Sequence, residues 1–98
     1  MIISFRDQGT EDIFQGKSTK EARKKCPKTL IKKAVRKLDM IDSAATLNDL
    51  RVPPGNQLEK LQGDRANQYS IRLNDQYRIC FRWLGEDAEN VEITDYHK

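Results

Sequence analysis

Two hydrophobic periods divide this chain into a first half with helical spacing and a second half with strand spacing. Between residues 29 and 42, apolar residues recur every three or four positions, at Leu30, Ile31, Ala34, Val35, Leu38 and Ile41. This spacing predicts one amphipathic helix whose apolar stripe packs on the rest of the domain. From Tyr69 onward the apolar positions instead alternate with polar ones, which predicts strands.

Short elements and breaks surround the predicted helix. Residues 2–5 form a strand candidate, and residues 11–16 form a short helical turn that Gly16 can end. The segment STKE fits a capping box in which Ser18 caps a basic helix that runs to Cys26. Pro27 then either opens a new helix or kinks this one. Residues 43–50 predict a further short helix, and the segment RVPPGN ends it, because Pro and Gly suit neither a helix nor a central strand.

Three alternating runs follow this break, at residues 69–73, 77–83 and 91–93, with turn segments at 74–76 and 85–90. Helices come first and strands second, which predicts a single α+β domain over residues 1–98 with helices on one face of an antiparallel sheet. If the apolar side chains of the runs face the helices, then Arg72, Arg78 and Arg82 face the other side. We expect that second face to be open to solvent.

Composition narrows the class of protein. A chain of 98 residues predicts one domain with a modest core, and 37% apolar and 34% charged residues predict a heavily charged surface. No apolar run has the length of a membrane span and the first residues do not form a signal peptide, so we expect a cytoplasmic protein. Cys26 and Cys80 have no paired spacing and there is one histidine, so we predict reduced, mostly buried thiols, no metal site and no cofactor.

Positive charge is concentrated in one stretch. From Lys17 to Lys37 there are ten basic residues and one acidic residue, a local charge of +9, and the remaining residues carry −6, which gives the total of +3. A stretch of this density attracts polyanions and accelerates association with them. The alternative use is a solvated helix face.

The chain ends with VEITDYHK, so its only histidine, His97, is the second-to-last residue. Chain ends usually fray, and the tail is therefore either an overhang or a working site at the end of the last strand. His97 has the only side chain here whose unperturbed pKa lies near 7, so it can take or give a proton at neutral pH. Tyr96 can donate a hydrogen bond or stack on a base, and Asp95 can accept from the imidazole N–H.

Three segments, taken in order, resemble the HigB branch of the RelE-like toxins of bacterial toxin–antitoxin pairs. They are LEKLQGDRANQYSIRLNDQYRICFRW, an acidic turn, and the terminal VEITDYH. The resemblance covers most of the chain and is strongest from Leu58 to His97. It implies helices on one face of a curved antiparallel sheet, and a metal-independent endoribonuclease that cuts messenger RNA on the translating ribosome. It also implies a helix-turn-helix antitoxin, similar to HigA, that binds operator DNA as well.

The resemblance assigns residues to the site. Arg78 in QYRICF matches the main active-site arginine, Tyr96 and His97 match the terminal Tyr-His pair, and Asp95 matches the acid before it. The residues implied to bind RNA are Arg65 in GDR, Lys60, Arg72 and Arg82. The segment LEKLQGDR departs from the family pattern, because Glu59 and Gln62 stand where many members have histidine and lysine.

RNA cleavage of this kind needs a base, an acid and a positive group for the extra phosphate charge. Arg78 would grip the phosphate and His97 would move the proton, and we expect Arg78, Tyr96 and His97 to be exposed enough that truncation costs little stability. The basic stretch would dock on ribosomal RNA or receive an acidic antitoxin segment through Lys20, Arg23, Lys24, Lys28, Lys32 and Arg36.

Two other function classes stay open. One is a non-enzymatic toxin of the same superfamily that poisons DNA gyrase, and the other is an inactive partner-binding member. The terminal Tyr-His pair favours the ribonuclease, because the gyrase-binding branch generally lacks it.

Overall fold

Three helices precede a four-stranded sheet in the computed structural model, which describes residues 1–95. The helices are α1 (Gln8–Phe14), α2 (Lys20–Lys25) and α3 (Ile31–Ser43). The strands are β1 (Glu59–Lys60), β2 (Tyr69–Arg72), β3 (Tyr77–Leu84) and β4 (Asp87–Asp95). They pair antiparallel in the order β1-β2-β3-β4, so the predicted α+β class is confirmed. Short 3-10 helices lie at Lys28–Leu30, Leu47–Arg51, Pro54–Asn56 and Gly63–Arg65.

Helix α3 buries the apolar stripe that the spacing predicted. Ala34, Leu38 and Ile41 are fully buried on its inner side. A 3-10 turn that follows Pro27 leads directly into α3. Pro27 therefore opens a new helical segment and does not kink α2, in keeping with the preference of proline for helix starts.

Thr19 caps α2, so the predicted cap at Ser18 is wrong by one residue. The Thr19 hydroxyl accepts a hydrogen bond from the Ala22 amide (3.1 Å) and donates one to the Asp12 carboxylate (2.6 Å). Either hydroxyl can cap a helix, and the contact with Asp12, which ties α2 to α1, selects Thr19. Hydrogen bonds from Thr19 and then from Gln8 lower the pKa of Asp12.

The N-terminal segment covers the outer edge of β4. Ile2 and Phe5 form isolated parallel bridges to this strand, so the strand predicted at residues 2–5 is reduced to two bridges. Farther along β4, the Thr10 hydroxyl of α1 accepts a hydrogen bond from the Ile93 amide (3.0 Å). An uncovered edge strand is a template for pairing with another chain, and this cover closes that side of the sheet.

The hydrophobic core lies between the helices and one face of the sheet. Ile71, Ile79 and Phe81 are fully buried there, and Tyr77 and Trp83 pack against the same cluster. The predicted alternation is therefore confirmed for the helix-facing side. Among residues 1–95, the helices are all too short and too polar to cross a membrane.

The last hairpin is tighter than the turn predicted at residues 85–90. Only Gly85 and Glu86 separate β3 from β4, and Gly85 has a φ of +63°, a conformation that glycine adopts without strain. Near Asn90, which has a φ of +52°, the register between β3 and β4 shifts by a bulge. Such a bulge bends the strand and increases its twist.

A buried polar contact joins α3 to the segment that leads into the sheet. Lys37 is 9% exposed, and its ammonium donates to the side-chain oxygen of Asn56, which is fully buried. The Asn56 amide nitrogen donates in turn to the carbonyls of Leu50 (3.1 Å) and Val52 (3.4 Å). Burial lowers the pKa of Lys37, and neighbouring basic side chains lower it further. One amide therefore satisfies three polar groups that are removed from water.

We expect Asn56→Ala to lower the free energy of unfolding by about 2–3 kcal/mol, because it leaves a buried ammonium and two carbonyls without their partner. Urea unfolding measures this loss. The control is Asn48→Ala on the exposed surface of the preceding 3-10 helix, which should change stability by less than about 0.5 kcal/mol. Equal effects of the two substitutions would show that the Asn56 contacts contribute nothing specific.

The two cysteines are free and buried, as the sequence predicted. Cys80 is fully buried in β3, and burial raises the pKa of its thiol to about 11. Burial also raises the pKa of Cys26. The thiolate is the reactive form of cysteine, so neither residue resembles a nucleophile at neutral pH.

Iodoacetamide should modify Cys80 very slowly in the folded protein at pH 8, because a thiol with a pKa near 11 is only about 0.1% ionised there. After denaturation, mass spectrometry should show two alkylated cysteines and no disulfide. Rapid modification of Cys80 before denaturation, at the rate of a free cysteine, would contradict the buried position.

Candidate active site

The face of the sheet that points away from the helices is covered, so the prediction of an open face is wrong. Ser70 and Cys80 are fully buried on it, and Arg78 and Glu92 are each only 7% exposed. The strand alternation predicted correctly which way these side chains point. It carried no information on the loop residues that fold over them, among them Arg65.

Strand register arranges this face in two rows. The first row contains Glu59, Ser70, Cys80 and Glu92, one residue from each strand. The second row contains Arg72, Arg78 and Thr94. Arg72 and Arg78 are directly opposite one another, and like charges in that position destabilise a sheet. The face therefore keeps two positive charges together at a cost in stability.

The Arg78 guanidinium is held by contacts on two of its three nitrogens. Nε donates to the Ser70 hydroxyl (2.7 Å) and Nη2 donates to the Gln57 carbonyl (2.6 Å). The Glu59 carboxylate lies 3.9 Å from Nη2. Among residues 1–95, no group forms a hydrogen bond with Nη1. The charge is thus fixed in orientation by Nε and Nη2, and Nη1 has no hydrogen bond from this part of the chain.

Arg78 consequently differs from the exposed residue that we expected. Its side chain is 9% exposed and bridges β3, β2 and the segment before β1. Truncation would leave the Ser70 hydroxyl and the Gln57 carbonyl without their donor, and this costs more than an exposed arginine would. The expectation of a small stability cost at position 78 is therefore wrong.

Two further arginines converge on the same face through Glu92. The Glu92 carboxylate lies 2.5 Å from Nη1 of Arg65 and 3.7 Å from Nη1 of Arg6. Although burial dominates the pKa of Cys80, the charges of Arg65, Glu92, Arg78 and Arg6 all lie near enough to influence it. Cys80 therefore lies near the guanidinium groups of Arg6, Arg65 and Arg78, which we call the arginine cluster.

Two of the predicted site residues do not join this cluster. Lys60 lies opposite Tyr69, on the helix-facing side of the sheet, because alternation sends it the other way from its neighbour Glu59. Asp95 lies opposite Tyr77, and its carboxylate accepts a hydrogen bond from the side-chain Nε2 of Gln76 (2.9 Å). Tyr96 and His97 lie outside the described residues.

Arg72 and Arg82 are partly exposed and paired with nearby acids. Arg72 forms an ion pair with Asp75, and Arg82 lies 3.4 Å from Glu89. Exposed pairs of this kind are weak, so a phosphate can replace the carboxylate at small cost. Within the described part of the chain, no group of three or more His, Cys, Asp or Glu side chains is placed to hold a metal ion.

Sequence reasoning missed Arg6 and Glu92, and it treated Glu59 only as a departure from a family pattern. Glu92 has the strand parity of Arg78, so alternation alone could have placed it on this face. Glu59 required the pairing of β1 with β2, which a two-residue strand does not reveal. Arg6 required the path of the N-terminal segment along β4, for which the sequence has no local signal.

The basic stretch forms a separate surface on the helices. All six residues that we singled out are exposed, namely Lys20, Arg23, Lys24, Lys28, Lys32 and Arg36. Two other members of the stretch have structural partners, since Lys25 pairs with Asp7 (3.0 Å) and Lys37 with Asn56. Most of the local positive charge is therefore available to a binding partner.

Comparison with known sequences identifies relatives over the full chain. A family model described as the RelE-like toxin of the type II toxin-antitoxin system HigB matches residues 3–97. Toxin HigB-1 of Vibrio cholerae is 35% identical over 98 residues, which are 100% of this chain and 99% of that protein. Endoribonuclease HigB of Proteus vulgaris is 29% identical over 97 residues, 99% of this chain and 100% of that protein.

Solved structures of YoeB share the fold. The YoeB dimer of Staphylococcus aureus superposes with a TM-score of 0.61 and 23% identity, and covers 99% of this chain and 95% of its own. A YoeB-YefM complex from the same organism gives a TM-score of 0.60 and 17% identity, with 100% and 99% coverage. From the family match and the full-length relatives together, the chain belongs to the HigB-like family of RelE-like toxins of type II toxin–antitoxin systems.

Proposed function

We propose that this toxin is an endoribonuclease that cuts messenger RNA on the translating ribosome without a metal ion, and thereby arrests growth in the cytoplasm. The observation that carries the proposal is the pair of arginines that lie opposite one another on β2 and β3. A sheet that retains such a pair gains a site for an anion with delocalised charge, as on the scissile phosphate of RNA. The relative named Endoribonuclease HigB supports the same activity.

Arg78 is the group that stabilises the phosphate. Its contacts with Ser70 and Gln57 fix the guanidinium before RNA arrives, so little reorganisation is needed when negative charge develops in the transition state. Nη1 of Arg78 and the partly exposed guanidinium of Arg72 bind phosphate oxygens. Arg65 extends the positive surface along the RNA.

Two side chains move the protons. The Glu59 carboxylate, near the outer edge of Arg78, accepts the proton of the attacking 2′-hydroxyl, and His97 donates one to the leaving 5′-oxygen. Tyr96 stacks on a base or donates a hydrogen bond. The register supports this assignment of the tail. Thr94 lies directly opposite Arg78, and only one residue, Asp95, separates Thr94 from Tyr96 in the sequence.

Its partners are the ribosome with its messenger RNA and a helix-turn-helix antitoxin, similar to HigA, that also binds operator DNA. The family is a toxin–antitoxin family, and a structural neighbour was solved as a YoeB-YefM complex. The six exposed basic residues of the helices meet ribosomal RNA or an acidic part of the antitoxin.

Arg78→Lys should lower messenger cleavage about 100-fold or more, because an ammonium cannot hold Ser70 and Gln57 while it also binds phosphate. It should also cost about 1–3 kcal/mol of stability, measured by urea unfolding. Mapping of messenger ends in a translating extract measures cleavage, with purified RNA alone as the test of ribosome dependence.

The matched control is Arg51→Lys, an exposed position on a 3-10 helix away from the site, which should leave both readouts unchanged. Cleavage by Arg78→Lys at the normal rate would remove Arg78 from the mechanism. Toxicity with stalled replication and intact messenger would place the wild-type protein in the gyrase-poisoning class.

His97→Ala and Tyr96→Ala should each slow cleavage by about 10²–10⁴-fold with the urea midpoint unchanged. Glu59→Gln should slow it as well, because the amide cannot accept the proton of the 2′-hydroxyl. Lys98→Ala, the adjacent change in the same tail, is the control and should cut normally. If both tail variants cut messenger at the wild-type rate, the tail is an overhang.

A further inference from the structure

A groove crosses the helical side of the molecule, on the far side of the core from the arginine cluster. The end of α1, helix α2 and the first turns of α3 enclose a volume of about 460 Å³. A second depression of about 520 Å³ continues along α3 and shares Ile31, Lys32 and Val35 with the first. Together they form an elongated channel, which we call the helical groove.

The floor of the helical groove is apolar. Its lining includes Ile13, Ala22, Cys26, Ile31 and Val35. Ile31 and Val35 are one helical turn apart on α3 and only half buried, because the fully buried stripe of that helix points to the sheet. A contiguous apolar surface of this kind, rimmed by polar groups, is typical of a protein-binding site.

The rim of the groove is cationic. Lys17, Arg23, Lys28 and Lys32 line it, and Arg36 lies at its extension. None of the lining residues within the described range 1–95 is acidic. The side chains therefore place positive charge on both sides of an apolar channel. Such an arrangement attracts a negatively charged partner and orients it during approach.

The walls of the groove are fixed before any partner binds. Asp12, in α1, holds both the loop after α1 and the start of α2. Its carboxylate accepts a hydrogen bond from the Thr19 hydroxyl (2.6 Å), and its backbone carbonyl accepts one from the Lys17 backbone N–H (2.8 Å). Helices α1 and α2 approach so closely that a Cβ at Gly9 would collide with the Glu21 backbone. A preformed groove reduces the entropy lost on binding.

We infer that the helical groove receives an amphipathic helix with an apolar stripe flanked by Asp and Glu, and that the antitoxin supplies it. The inference rests on the proposed antitoxin partnership and names the surface that serves it. Apolar anchors at i, i+3, i+4 and i+7 fill the floor, and the acidic flanks meet the cationic rim. RNA fits less well, because it would leave the apolar floor unfilled and, among residues 1–95, the lining has no aromatic ring on which a base can stack.

The test uses a fluorescent helical peptide of about 14 residues, roughly 21 Å long, with Leu on one face and Glu beside it. Anisotropy titrations at about 0.15 M salt, where the Debye length is about 8 Å, measure its affinity for the intact protein. Lys28→Glu combined with Lys32→Glu should weaken binding about tenfold or more. Val35→Thr, which keeps the shape of the side chain and adds a hydroxyl, should weaken it about threefold or more.

Two matched controls separate the groove from general positive charge. Lys33→Glu combined with Arg51→Glu makes the same charge change at two positions that do not line the groove, and should alter affinity less than about twofold. A scrambled peptide of the same composition, without an apolar face, should bind at least about tenfold more weakly than the amphipathic one.

Several results would overturn the inference. The first is equal affinity for the scrambled and the amphipathic peptide, and the second is an equal effect of the control charge reversals. The third is binding of a single-stranded RNA that the groove substitutions weaken, together with no binding of the peptide. Cleavage is measured separately. Peptide binding by a protein that cuts no messenger would refute the proposed nuclease and support the helical groove as a docking site. Normal cleavage without peptide binding would support the nuclease and refute the docking site.

Discussion

The candidate active site depends on one buried positive charge, the guanidinium of Arg78, which the sheet holds with little exposure to water. A buried guanidinium is tolerated only when its donors are satisfied, and here the Ser70 hydroxyl and the Gln57 carbonyl satisfy two of them. Those contacts also join β3 to β2 and to the segment that precedes β1. Removing the charge would therefore loosen three parts of the chain, which explains why stability and the proposed chemistry share one residue.

The sequence predicted what depends on local periodicity and missed what depends on tertiary contacts. Alternation assigned Ile79 and Arg78 to opposite faces correctly, and helical spacing identified the stripe of α3. Alternation could not show that Arg65 and Arg6 fold over the second face, since both come from segments without a regular period. The cap of α2 differed by one residue because a contact with α1 decided it. The role of the DYH tail remains a prediction.

Positive charge serves two surfaces of different chemistry. On the far face of the sheet, Glu59 and Glu92 restrain the arginines, so their charges are oriented and partly neutralised. Along the helical groove, lysines and arginines flank an apolar floor, and the described part of the chain adds no acidic residue to the lining. The first arrangement suits a small anion in a defined geometry, and the second suits a long partner that buries apolar surface. Because the core lies between them, the two surfaces can be occupied independently.

The pairing of residues 1–6 with β4 has a consequence for the order in which parts of the molecule fold. Asn90 donates to the Ser4 hydroxyl across 86 positions of sequence, and Ile93 donates to Thr10 across 83. Contacts this distant form late, because the intervening chain must first be closed into a loop. The N-terminal segment therefore stays unpaired until β4 has formed. Glu92, which orients Arg65 and Arg6, belongs to that strand, so the arginine cluster is complete only once β4 has paired.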